Sequence, residues 1–407
     1  MISSSVAARP VNALRRRGRT DVRAWTILGA MALARIGFGY QFQTVATLAP
    51  DLVPRFDLTY AALGTLIGAY MLLGAFAALP LGLAARRFGD RIVLGSGLSL
   101  MIVGTLVSAM GGGADGIGTG RSIAGVGAVA MIVLQGKIIA DWFDGRRFML
   151  AISVSVCSYP IGVGLAQLIL PLIDRWGGWQ AAFLSGAVII AVALVLFLAS
   201  YRTPPHAAPP RRFSLPSGRE CLLLSISGLC WTAYTAGYAG YTSYVPSTMA
   251  QRGSGLALTA LVMTIATWGN VPATLFGGGL AARFGGFRIF LLGTIALVVG
   301  MAGTALVNAP IAWAILVGIV GSVHPGVIMA VGTLSARPEN RAIGMGVFYS
   351  LYYLGGAFAP AACGVAADVY GSPAGGLLGA AAISALAVPM YLLHRALARH
   401  ETMLARA

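Results

Sequence analysis

Arg35 and Arg121 stand inside long apolar runs, an expensive place for a guanidinium. At mid-bilayer the cost is at least about 2.5–3.5 kcal/mol on insertion scales, so each needs a partner. Arginine offers a planar fork matched to carboxylate-like oxygens, and the pair could receive an anion. Snorkelling to an interface, or bonding to a backbone carbonyl, would also satisfy them. The acidic residues bear on the choice. All twelve, among them Asp51, Asp115, Asp141, Glu220 and Asp368, fall in loops or near the ends of apolar runs. Two buried cations without embedded anions imply that the missing negative charge arrives with a solute.

Other side chains could add to such a site. In CWTAYTAGYAGYTSYVP, Trp231, Tyr234, Tyr238 and Tyr241 follow spacings of 3, 4 and 3, so they share one helical face. They could wall a binding site and donate hydroxyls, or simply pack between helices. Phe348, Tyr349, Tyr352 and Tyr353 form a similar cluster. His324, in GSVHPG, is the only histidine deep in an apolar run. An imidazole can carry a coupling proton, or it can satisfy a carbonyl that Pro325 leaves without a donor. Lys137, the only lysine, precedes Asp141 by four residues. That spacing gives an ion pair, with a gating or anion-exit role as the alternative. Gln41, Gln43 and Gln135 could supply further hydrogen bonds.

The elements that must position these residues follow from composition. The 407 residues are 57% hydrophobic and 10% charged, with 55 glycines. A soluble domain carries about 25% charged residues, so the lipid bilayer is the solvent here. The net charge of +16 is spread over short segments between apolar runs. It forms no single patch and argues against nucleic acid as a partner. Cys157, Cys221, Cys230 and Cys363 lie in apolar runs without metal spacing and read as small apolar residues. RRRGR at 15–19 precedes an apolar run too long for a cleaved signal, which implies an uncleaved first span behind a basic anchor. There is no nucleotide-binding loop and no metal cluster at ligand spacing. Neither an enzyme nor a cofactor is expected.

Runs of about 20 apolar residues can span a bilayer as helices. Twelve are expected, at 24–50, 59–84, 92–112, 116–140, 147–172, 179–200, 220–246, 256–282, 289–308, 311–333, 342–366 and 375–394. With the N-terminus inside, the cytoplasmic segments hold 22 of the 28 basic residues, and the opposite loops hold Arg55, Arg175 and Arg252. That asymmetry predicts both termini in the cytoplasm. The polar break at 201–219 separates six spans from six. The expected parts are a basic tail (1–23), a six-helix bundle (24–200), a linker (201–219), a second bundle (220–394) and a tail (395–407).

GLAARRFGDR at 82–91 returns as GLAARFGGFR at 279–288. The copies sit between spans 2 and 3 and between spans 8 and 9, so the architecture is duplicated, as in secondary transporters with parallel repeats. This loop resembles the signature of the major facilitator superfamily, carried here by Gly82, Arg86, Arg87, Gly89, Asp90 and Arg91 and echoed by Gly279 and Arg283. Arg121-Ser-Ile-Ala-Gly125-Val-Gly127 resembles that superfamily's pattern in span 4. ARIGFGYQFQTVATLAPDL and KIIADWFDGRRF are similar to the cyanate-permease branch and its small-anion relatives.

The resemblance implies a monomeric, multi-pass transporter of the bacterial inner membrane with two pseudo-symmetric six-helix bundles. It also implies a central cavity lined by spans 1, 4, 7 and 10, which places Arg35, Arg121, the span-7 aromatics and His324 toward it. The expected activity is alternating-access symport or exchange of a small inorganic or carboxylate anion, with a proton or counter-anion as co-substrate. The alternative is export of neutral or amphiphilic compounds. SYPIGVG at 158–164 resembles only part of the antiporter motif, with Tyr159 where a glycine is usual. The loop departs too: Arg86 replaces the usual aspartate, and Asp90 occupies a usually basic position. Asp90 is therefore expected to brace the loop, against an arginine or the start of span 11, or else to be a solvated charge.

Overall fold

Helix follows helix along this chain because a backbone in lipid must satisfy its own hydrogen bonds. The computed structural model describes residues 11–143, 145–202, 216–337 and 341–404. Its first half comprises α1 (Val11–Thr47), α2 (Ala49–Arg55), α3 (Tyr60–Leu72), α4 (Gly74–Phe88), α5 (Asp90–Met110), α6 (Ala114–Trp142) and α7 (Gly145–Ser200). The second half comprises α8 (Gly218–Gln251), α9 (Leu256–Phe284), α10 (Gly286–Leu306), α11 (Pro310–Ile315), α12 (Pro325–Leu334), α13 (Arg341–Tyr370), α14 (Pro373–Ala385) and α15 (Ala387–Leu404). Most of the expected linker lies outside the described residues. α1 and α15 extend into the segments expected as tails.

Among the described residues, nine helical stretches are long and apolar enough to cross a membrane. One of them, Val154–Ser200, holds the expected fifth and sixth spans, which meet at Gly178, where φ is 75°. α1 and α8 are long enough but not apolar enough. These are spans 1 and 7, whose glutamines, threonines and tyrosines dilute their hydropathy. α8 starts at a capping box in which Ser217 and Glu220 satisfy each other's backbone N–H groups. Glu220 also accepts from the Arg337 N–H at 2.8 Å, tying span 7 to the end of span 10.

Within the halves, α1 packs along α7, α5 on α6, and α8 on α13 and α14. Between the halves, α3 meets α13 and α7 meets α9. The α3–α13 seam is backbone against backbone. A Cβ on Gly64 or Gly68 would strike the Pro360 or Ala357 carbonyl. Among the described residues, the hydrogen bonds joining the halves sit at mid-depth or on the side away from the arginine-rich loops. Asp368 accepts from the N–H groups of Tyr60 and Ala61 at 2.8 and 2.9 Å. The Tyr244 hydroxyl reaches the Tyr60 and Pro360 carbonyls at 2.9 Å each. Gln43 donates to the Thr242 carbonyl, and Trp268 to that of Pro160.

Spans 4 and 10, expected to be equivalent, differ. α6 runs unbroken. Span 10 passes from α11 through a π-helical turn, Leu316–Val320, and a non-helical stretch before α12 resumes at Pro325. Pro325 has no N–H for the Gly321 carbonyl, which accounts for the break.

The repeat also changes register. Gly89 (φ 86°) ends α4 and Gly285 (φ 91°) ends α9, each in a left-handed backbone that suits glycine. Aligning these caps pairs Arg87-Phe88-Gly89 with Arg283-Phe284-Gly285. Gly82 then corresponds to Gly278, where string matching had suggested Gly279.

Candidate functional site

The site is built around Arg35. Glycines bring its helix against α7: a Cβ on Gly39 would strike the Tyr159 carbonyl, and one on Gly162 would strike that of Ile36. This contact sets Tyr159 beside Arg35. Phe38 packs on Tyr159 with ring centroids 5.1 Å apart, and on Tyr70 at 5.9 Å, forming an aromatic floor. From across the molecule, α13 brings Tyr349, Tyr352 and Tyr353, whose neighbouring rings lie 6.3 and 5.3 Å apart. The phenols of Tyr159, Tyr349, Tyr352 and Tyr353 are all within electrostatic reach of the Arg35 guanidinium.

Arg35 is only partly engaged. Its Nη1 donates to Gln135 Oε1 at 2.9 Å, whereas among the described residues its Nε has no partner. The Gln135 amide nitrogen is likewise buried without a partner. Arg35 retains some exposure and Tyr349 is 38% exposed, so the cluster is not sealed within the protein. Unused donors around one cation, walled by aromatic rings, are chemically suited to a carboxylate-like group with an apolar body.

Arg121 has a different task. Its Nε donates to the Leu66 carbonyl at 2.6 Å, its Nη1 to Gln41 at 3.1 Å, and its Nη2 to Phe42 and Ile67 at 3.1 and 3.0 Å. Four of its five N–H groups hold backbone, and its charge lies 5.0 Å from the Tyr70 ring centroid. The carbonyl-bonding alternative describes this geometry: a strut between spans 1, 2 and 4. Gln41 belongs to the same knot, accepting from the Tyr70 hydroxyl at 2.9 Å.

The span-7 stripe is divided. Tyr234 accepts from Asn270, Tyr238 donates to the Ala266 carbonyl at 2.7 Å, and Tyr241 is fully buried. Tyr234 packs against α9 and His324 of span 10, and Trp231 lies against Phe348, whereas the part-buried Tyr238 is also within electrostatic reach of Tyr159. His324 is sealed in as well, edge-on to Tyr234 at 4.9 Å and Phe290 at 5.7 Å. Among the described residues neither ring nitrogen has hydrogen-bonding geometry with a partner. The Gly321 carbonyl, orphaned by Pro325, is the backbone group it feels.

At the arginine-rich end, Lys137 contacts Asp90 at 2.6 Å and Asp141 at 3.6 Å. Asp90 also accepts from the Tyr201 hydroxyl at 3.1 Å. Asp90 is thus braced by a lysine of span 4, where an arginine or the start of span 11 was expected. Arg91 donates to the Leu198 carbonyl at 2.8 Å, Arg87 lies over Phe88, and Arg283 lies over Phe284. The Arg86 side chain is outside the described set.

Tyr159 was the residue least visible in sequence, standing out only as a missing glycine before Pro160. Tyr349 and Tyr352 were visible as a cluster, but spacing could not aim them at Arg35.

Two six-helix halves meeting around a central cationic, aromatic site define a multi-pass membrane transporter, and not an enzyme. The chain belongs to the Major Facilitator Superfamily, whose model matches residues 30–360 and 230–402. It is similar to the 4-hydroxybenzoate transporter PcaK of Acinetobacter baylyi, 25% identical over 74% of each chain. It also resembles the 3-(3-hydroxy-phenyl)propionate transporter of Escherichia coli, 23% identical over 84% of this chain and 87% of that one. Multidrug resistance protein D of Escherichia coli is 24% identical over 62% of this chain and 64% of its own. The fold is shared with a bacterial homologue of the human lysosomal transporter Spinster, solved inward-facing and occupied. The TM-score is 0.71 at 19% identity, covering 91% of this chain and 96% of that one. These relatives do not single out the cyanate-permease branch.

Proposed function

We propose that this secondary transporter carries an aromatic carboxylate, bound by Arg35 and stacked among Tyr159, Tyr349 and Tyr352. The observation that carries the reading is the half-engaged Arg35, whose free Nε and single Gln135 contact leave room for a carboxylate among phenol rings. The names of the aromatic-acid relatives support the same class. Phenol hydroxyls favour a solute with its own polar ring substituent. Transport then requires the two faces of the site to bind the solute differently, or a proton or counter-anion to be carried with it. Arg121 holds the frame and does not touch solute.

Uptake by purified protein in liposomes tests this, using labelled 4-hydroxybenzoate, benzoate and cyanate with and without a pH gradient. The aromatic acids are expected to enter and cyanate to be excluded. Arg35→Gln removes charge-assisted bonds worth about 1.5–3 kcal/mol, so uptake should fall about 10- to 100-fold. Wild-type uptake by that variant, or no aromatic-acid uptake by the wild type, refutes the reading. A second reading, export of neutral or amphiphilic compounds, is favoured by the likeness to Multidrug resistance protein D. Drug resistance conferred without any anion flux would select it.

A further inference from the structure

A groove of about 500 Å³ runs between α9, α10 and the broken part of span 10. Its walls include Leu280, Phe284, Leu292, Ile319 and Val323, all apolar, and one charged residue, Arg288. Leu280, Phe284, Leu292 and Ile319 are exposed large hydrophobics, so the groove faces outward from the helix bundle. The irregular part of span 10 forms one wall: Ile319 belongs to the π-helical turn, and Val323 to the non-helical stretch that follows it. In the other half the unbroken α6 lies close on α5 instead, with Gly97 directly against Gly127 and Ala130.

Charge lies at one end of the groove. Arg288 is in the first turn of the 21-residue α10, where the helix dipole is positive. Arg283 lies over the ring of the wall residue Phe284, 5.3 Å from its centroid. Both arginines are exposed, and among the described residues neither has an ion pair or hydrogen bond. The first-half loop differs, because its Arg91 is committed to the Leu198 carbonyl and the residue at Arg288's position is Ile92.

We propose that this groove is a binding site for one anionic phospholipid, with Arg283 and Arg288 on its phosphate and an acyl chain along the apolar walls. From Arg288 the groove descends only a turn or so along α10, to Leu292, which suits the upper part of one chain. A bound chain would lie against the π-helical turn, so the lipid would touch the irregular part of span 10 itself. The site is separate from Arg35 and holds whatever the transported solute proves to be.

Native mass spectrometry of the full-length protein, released from mixed phosphatidylglycerol and phosphatidylcholine, tests the site. One phosphatidylglycerol should be retained in preference to phosphatidylcholine. Two interfacial arginines together contribute about 2 kcal/mol, so the double variant Arg283→Gln/Arg288→Gln should hold it about thirty-fold more weakly. Leu292→Trp leaves both arginines in place and should displace the lipid by filling the groove. Inorganic phosphate in excess should not compete. Equal retention of the two lipids, unchanged retention in the variants, or displacement by inorganic phosphate overturns the proposal.

Discussion

The two copies of the loop do the same mechanical job with different chemistry. Each leaves its helix through an arginine over a phenylalanine and a left-handed glycine, and each then fastens the next helix to the last span of its half. In the first half the fastening is polar. Arg91 holds the Leu198 carbonyl, while Asp90 collects Lys137 and Tyr201. In the second half, Gly286 and Phe287 occupy those positions. Phe287 stacks on Tyr391 with centroids 5.9 Å apart and takes Arg395 over its face at 4.4 Å. The same division extends into the membrane. The first half holds Arg35 and Arg121, while the second supplies tyrosines, a sealed histidine and a broken helix. A duplicated fold has let its halves diverge: both guanidiniums deep in the spans lie in the first, and the broken helix lies in the second.

That division can be broken most severely at Arg121. Arg121→Leu removes four bonds from a buried charged donor, each worth about 1.5–3 kcal/mol, so the protein should fail to accumulate or melt far below wild type in detergent. Arg35→Leu should leave melting close to wild type; an equal loss would mean both arginines are struts. Phe287→Ala removes a stacked ring at the second loop and should cost about 2 kcal/mol of thermal stability. At the first loop, Lys137→Met removes a half-exposed ion pair. The expected loss is about 1 kcal/mol, and it should shrink further at high salt.

The smallest effect concerns pH. Burial, reinforced by the Asp90 carboxylate, pushes the Tyr201 phenol above its ordinary value of 10.0. The folded protein therefore keeps this proton longer than the unfolded chain does. The group's contribution is complete below about pH 10 and declines as pH rises beyond that, because the unfolded chain ionises first. Tyr201→Phe should flatten the alkaline limb of the stability profile. An unchanged limb would separate Tyr201 from the loop's polar cluster.

Apolar run length and the repeated phrase predicted the helices well, because a bilayer leaves a chain few alternatives. Side-chain destinations were less legible. Spacing put Trp231, Tyr234, Tyr238 and Tyr241 on one face of span 7, but that face could meet either a cavity or a neighbouring helix. Arg121 was open to the same ambiguity, since a carbonyl cage assembled from two other helices leaves no mark in sequence. The one-residue register error arose because letter matching rewarded GLAAR, whereas geometry is fixed by the glycine that ends each helix.

The seam between α3 and α13 sets how the molecule can move. Where Gly64 and Gly68 lie against carbonyls, the two backbones meet directly, and any added side chain would push the halves apart. Resistance is concentrated in the Asp368 carboxylate and its two N–H donors, together with the shared Tyr244 hydroxyl. The joint works like a smooth bearing with a small catch at one rim. A bulky side chain set into the bearing would jam it without touching the solute.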